Sequence, residues 1–236
     1  MPSIKPLKKT CMPPEDQDLA ISNHPNSLKD WWEEMGDHAI PLFNVNLAFF
    51  VISLPVVTIL PALGGLYDAI LKIKKDGGAN WGTVWGGFKK HGWLSMKWGL
   101  TVLLGYFFLG ANLCVFQGIE PAWGTFAIIA MIVITILWTT INQYSLTLLL
   151  VSSDHNILQA IATGFLIMIR QPLASLGVLL VSLSIGLVSI LLPPLLIFFS
   201  IAAIAFIQTG AALKSLSVLR EKDAGRTADE MRQPGR

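Results

Sequence analysis

Residues 44–71 read NVNLAFFVISLPVVTILPALGGLYDAIL, with a single acid, no base, and prolines at 55 and 61. At about 1.5 Å per residue, a helix of this length crosses the ~30 Å hydrocarbon core of a bilayer. A helix lying in water would need a polar face, and this stretch has none. Prolines within lipid are tolerated where neighbouring helices or hydroxyls satisfy the carbonyls that they free. The stretch therefore reads as a first membrane span, bent at Pro55 and Pro61 and packed against partner helices.

Composition points the same way. Hydrophobic residues make up 53% of the 236 and charged ones 14%, against about a quarter charged in a typical soluble domain. Mean hydropathy is +0.59. Net charge is only +2, so the distribution of charge matters more than its sum. Cys11 lies in a polar segment and Cys114 in an apolar one, a spacing that gives neither a disulfide framework nor a zinc cluster. Residues 1–30 hold lysines but no apolar core, so no cleavable signal peptide is expected there.

The expected fold is all-α: a polytopic transmembrane bundle of about five spans, with a short interfacial helix before the fourth. Residues 1–43 form a polar N-terminal tail, disordered to about Asn26, then a short amphipathic helix capped by Ser27. Trp31 and Trp32 on that helix read as interfacial anchors. The transmembrane domain covers residues 44–213. Within it, residues 72–97 form a basic loop with six lysines and one acid, broken at Gly77 and Gly78. Trp81, Trp85 and Phe88 mark an amphipathic segment in that loop that lies on the membrane. Further spans are expected near residues 98–116, 124–151, 173–192 and 195–213. Ser152, Ser153 and Asp154 would cap the short helix 156–170, and Pro172 would end it. The tail 214–236 continues as about two helical turns and then becomes polar and disordered.

Lysine and arginine crowd the 72–97 loop, the loop holding Arg170, and the tail with Lys214, Arg220 and Lys222. The link holding Glu120 and the Pro193–Pro194 turn have none. The basic side is expected to be cytoplasmic, which puts the C-terminus inside and the N-terminus outside. Half-helices around Pro55 and Pro61 would reverse the N-terminal side.

Polar residues inside apolar runs are few. Asp68 reads as a helix-end acid paired with Lys72, the alternative being an ion or substrate contact. Thr139, Thr140, Asn142, Gln143, Tyr144, Ser145 and Thr147 cluster in the third span. Such groups join helices by hydrogen bonds or line a polar pathway, and Gln208 and Thr209 would complete either arrangement. His24, His38, His91 and His155 lack metal-ligand spacing, and there is no G-x-S-x-G and no P-loop. The glycine pairs at 64–65 and 86–87, with Gly105 and Gly110, read as packing positions. No catalytic, metal or cofactor set is expected, and no nucleic-acid partner.

Asn46 and Leu47, the run from Ser53 to Ile59, Pro61 and Ala62, and Leu66 and Tyr67 together resemble the signature of the YesL family of bacterial integral membrane proteins, a domain of unknown function. Phe88 to Trp93 occupies the place of that family's basic Phe-Lys segment, Leu60 replaces its usual glycine, and Gly64 and Gly65 replace a more Ala/Thr-like pair. The resemblance implies a small multispan fold in the bacterial cytoplasmic membrane and an association with carbohydrate uptake. The motif's residues themselves read as structural: Pro55 and Pro61 bend the helix, Thr58 satisfies a freed carbonyl, and Tyr67 anchors at the cytoplasmic interface. The expected function is that of a non-enzymatic accessory bound to the permease subunits of an ATP-driven sugar importer. The alternative is a small-solute transporter with a pathway lined by Asp68, Asn142, Gln143 and Gln208.

Overall fold

Apolar runs punctuated by Gly, Pro and Asn fold into eight helices, with no strand among the described residues. The computed structural model describes residues 28–116, 121–152, 154–192, 194 and 199–232. In chain order the helices are α1 (Leu28–Asp37), α2 (Ala39–Ile52), α3 (Ile59–Asp76), α4 (Trp81–Phe116), α5 (Pro121–Val151), α6 (Ile157–Arg170), α7 (Pro172–Leu191) and α8 (Ile201–Arg232). A single 3-10 turn, Val56–Thr58, stands between α2 and α3. Among the described residues, five segments are long and apolar enough to cross a membrane: Val56–Asp76, Trp81–Phe116, Gly124–Val151, Pro172–Leu191 and Ile201–Leu219. The all-α bundle and the number of spans agree with expectation.

The first span does not. The stretch 44–71 is cut in two, with α2 ending at Ile52 and α3 starting at Ile59. Pro55 causes the cut, because it has no N–H to give and disfavours helical backbone in the residue before it. The carbonyl of Val51, its would-be partner, instead accepts from Leu54 N at 3.4 Å. Pro61, by contrast, falls in the first turn of α3, where backbone N–H groups have no intrahelical acceptor in any case. It bends nothing. The segment is thus broken at one proline, not bent at two.

Other boundaries moved for local reasons. Gly77 takes a left-handed conformation, φ 73°, and its N–H closes α3 on the carbonyl of Ile73 at 2.8 Å. Helix α4 begins at Trp81 and runs 36 residues without interruption, so the expected basic loop shrinks to a short linker. The amphipathic segment around Trp85 and the second span are one helix. Asn156, not Ser152 or Asp154, caps α6, its side chain accepting from Leu158 N and Gln159 N. Pro172 opens α7 at its first position, as helix-start chemistry favours. Helix α8 continues to Arg232, well beyond the two turns expected after residue 213. The Ser27 cap, the tail before it, the Glu120 link, Ser153, Pro193 and Cys11 lie outside the described residues.

Helices α3 and α4 form the most extensive pair, running antiparallel. Glycine makes the approach possible. A Cβ on Gly65 would fall 2.4 Å from the carbonyl oxygen of Val84, and one on Gly87 would fall 3.0 Å from the Cα of Gly65. Around this pair, Leu42, Leu66, Ile70, Tyr144, Leu149 and Phe206 form the buried core, bringing α2, α5 and α8 against it. Outward faces stay apolar: Leu103 and Phe107 on α4, Phe126 and Ile129 on α5, Leu183 and Leu187 on α7 are all exposed. That inversion suits a lipid surround.

Candidate functional site

Polar groups in an apolar bundle must find partners, and their pairings organise the candidate site. At the break, the hydroxyl of Thr58 lies 2.5 Å from the carbonyl oxygen of Ile52 and 2.6 Å from that of Pro55. One proton serves both, but neither is the Val51 carbonyl that Pro55 leaves free, so Thr58 braces the break through other carbonyls than the one expected. Asn46, fully buried on α2, accepts from the backbone N–H of Ala202 at 2.8 Å. Ala202 lies in the first turn of α8, directly after π-helical residues 199–200, so a side chain from another helix satisfies one of its end donors.

Tyr67 is not an interfacial anchor. It is buried, and its hydroxyl donates to Gln208 Oε1 at 2.5 Å, tying α3 to α8. Asp68, the next residue, faces α4 and not Lys72: its Oδ1 lies 3.5 Å from Nε2 of the buried His91. On the other side of His91, the ring of His155 stands edge-on with centroids 6.1 Å apart. His155 adopts a left-handed backbone, φ 46°, while its Nδ1 sits 3.1 Å from the carbonyl oxygen of Leu149. A carbonyl only accepts, so Nδ1 carries the proton there.

Four members of the dense polar patch on α5 reach three neighbouring helices. Gln143 Nε2 donates to the carbonyl of Ser175 on α7 at 2.9 Å. Ser145 Oγ accepts from the indole of Trp98 on α4 at 2.7 Å. Thr147 and Thr209 of α8 lie 3.3 Å apart, and Thr139 and Tyr106 of α4 lie 2.9 Å apart. Asn142 and Thr140 stay on their own helix, donating to the carbonyls of Trp138 and Ile136. Of the four residues read as a pathway, Asp68 is drawn to His91 and Gln208 to Tyr67, while Gln143 bonds α7 and Asn142 bonds its own turn.

Two contributors were not visible in the sequence. Lys74, read as one lysine of a basic loop, is nearly buried. Its ammonium donates to Glu34 Oε1 at 2.9 Å and sits 3.6 Å from the ring centroid of Phe206, joining α1, α3 and α8. His91 is the other: the 23-residue separation from Asp68 gives no periodic signal, and only the α3–α4 pairing closes it. Among the packing glycines, Gly64, Gly65, Gly87 and Gly105 meet close neighbours, the last against Trp138, whereas Gly86 and Gly110 face open space. Cys114 is free and exposed. No cluster of three His, Cys, Asp or Glu side chains suited to a metal occurs among the described residues.

The class defined by this architecture is an all-α, multi-pass membrane bundle braced by interhelical hydrogen bonds. No protein-family model, curated protein or solved structure matches the chain.

Proposed function

We propose that the protein is a non-catalytic membrane accessory of carbohydrate uptake in a bacterial cytoplasmic membrane, acting by contact with the permease subunits of an ATP-driven importer. One observation carries the reading. Of the amides offered as a pathway, Gln143 and Gln208 are engaged in bonds between helices and Asn142 in a bond to its own turn, while long apolar faces of α4, α5 and α7 stay open. Those faces suit lipid and partner helices better than a solute route. The sugar connection rests on the resemblance of residues 46–67 to the YesL signature. In this reading the basic helix ends face the cytoplasm together with the C-terminus, and the Glu120 link faces outward.

A second reading, transport by this chain itself, is favoured by the Asp68–His91 pair, since ionisable groups within apolar helices commonly mark ion routes. Affinity purification of the full chain from its native membrane separates the two. Importer subunits are expected to co-purify. A lone oligomer that supports solute flux in liposomes, with flux lost in Asp68→Asn, overturns the accessory reading in favour of transport.

A further inference from the structure

The break between α2 and the 3-10 turn opens an apolar groove of about 530 Å³, within the ~300–1,000 Å³ usual for ligand sites. Val51, Pro55 and Thr58 line one side, and Gly82, Trp85 and Phe88 of α4 the other. The hydroxyl of Thr58 is already held by the carbonyls of Ile52 and Pro55. Trp85 and Phe88 stack nearly parallel, with centroids 5.3 Å apart at 11°, so this wall of the groove is aromatic. Glycine at position 82 keeps the space open: the nearest atom to a Cβ there is Asn80 Oδ1, at 3.4 Å.

The rim has the opposite character. Exposed Lys89 places its ammonium over Trp85, 5.2 Å from the ring centroid, so a cation stands beside the aromatic wall of the groove. The same Trp-x-x-x-Lys arrangement recurs further along α4, where Lys97 lies 5.4 Å from the centroid of Trp93. Lys90 is exposed beside them, and Asp76 is the single acid in residues 72–97. An ammonium over an indole is attracted to the ring face and still has donors for a phosphate oxygen. Tryptophan beside lysine is also the usual chemistry of the headgroup zone.

We propose that this groove is a specific lipid site: it takes one acyl chain of an anionic glycerophospholipid, whose phosphate is met by Lys89. Charge complementarity selects the occupant. A hydrocarbon tail joined to an anionic head matches an apolar groove with a cationic rim, which a zwitterionic lipid matches less well. A partner helix, about 10–12 Å across, would fill this volume with roughly one turn, too short a length to seat it.

Native mass spectrometry of the full chain, released from detergent after incubation with equal amounts of phosphatidylglycerol and phosphatidylcholine of the same acyl length, tests the site. The wild type is expected to retain phosphatidylglycerol in preference. Lys89→Gln, at an exposed position, should cut that preference by about fivefold, the effect of ~1 kcal/mol per lysine at an anionic surface. Gly82→Phe fills the groove and should lower retention of both lipids while the melting temperature holds. Equal retention of the two lipids by the wild type overturns the anionic assignment. Preference unchanged in Lys89→Gln places the site elsewhere, and a bound second copy in place of a lipid adduct assigns the groove to self-association. Should Gly82→Phe fail to fold, Lys89→Gln decides alone.

Discussion

Asn46 and Ala202 are 156 residues apart in sequence, yet the buried amide oxygen of the first accepts the backbone N–H of the second at 2.8 Å. A donor in the first turn of α8 is thereby satisfied from within α2, in surroundings that offer no water. Asn46→Leu keeps the branched shape, with somewhat more bulk, and removes the acceptor. It should cost about 1–3 kcal/mol, the penalty of a buried backbone group left unpaired. Thermal unfolding in detergent measures it, and an unchanged midpoint would show that Ala202 has another acceptor.

The two prolines of the first apolar stretch should behave differently. Thr58→Val leaves the carbonyl of Ile52 without its hydroxyl donor, and about 0.5–1.5 kcal/mol should follow. Amide exchange over residues 53–58 should accelerate in that variant. Pro61→Ala, in the first turn of α3, should leave exchange at the break unchanged and shift stability only by the ~0.4–1 kcal/mol of lost unfolded-state restriction. Faster exchange at the break in Pro61→Ala would restore Pro61 as a cause of the interruption.

Gly65 and Gly86 lie on packed helices and look alike in the sequence. A Cβ on Gly65 meets the backbone of Val84 and Phe88, which cannot yield without parting α3 from α4. Gly65→Ala should therefore destabilise by ~1–3 kcal/mol or more. Nothing lies within 4 Å of a Cβ on Gly86, so Gly86→Ala should stabilise α4 by up to ~1 kcal/mol through helix propensity. Melting temperatures of the two variants should move in opposite directions.

Gln143 and Asn142 provide the test of bracing against passage. Gln143→Leu removes the bond to Ser175 on α7 and should cost roughly 0.6–1.7 kcal/mol, the range for such bonds in lipid. Asn142→Leu breaks only a bond within its own helix and should cost less. Partner capture from the native membrane should persist in both. A folded Gln143→Leu protein that loses solute flux or partner binding would mean that the amide touches a ligand.

Much of this architecture was legible beforehand because it depends on local quantities. Hydropathy summed along the chain finds helices long enough to span a membrane, whatever lies beside them, and the third apolar run, 124–151, lies within α5 and ends with it at Val151. Gly77 and Gly78 could be read as a break in the basic segment, and the structure makes Gly77 the helix stop because a residue tolerant of positive φ sits there without strain. Thr58 could be read as a hydroxyl bonding a carbonyl near Pro55, and its bond to Pro55 O closes within one turn, but its second acceptor, Ile52 in place of Val51, could not. The break itself was ambiguous: proline chemistry alone permits both a bend and an interruption, and the packing of α2 and α3 on a common core selects the second.

By itself, then, the sequence determined the helical class, the number of apolar spans and the places where the backbone could be interrupted. Tertiary structure alone decided which polar groups meet. Tyr67 reaches Gln208 across 141 residues, Lys74 reaches Glu34 across 40, and Gly65 but not Gly86 admits the neighbouring backbone. The reason is physical: hydrophobicity and capping act along one helix and leave a periodic trace, whereas a buried hydrogen bond depends on the rotation and offset of two helices against each other. Those are set by close packing of the whole bundle.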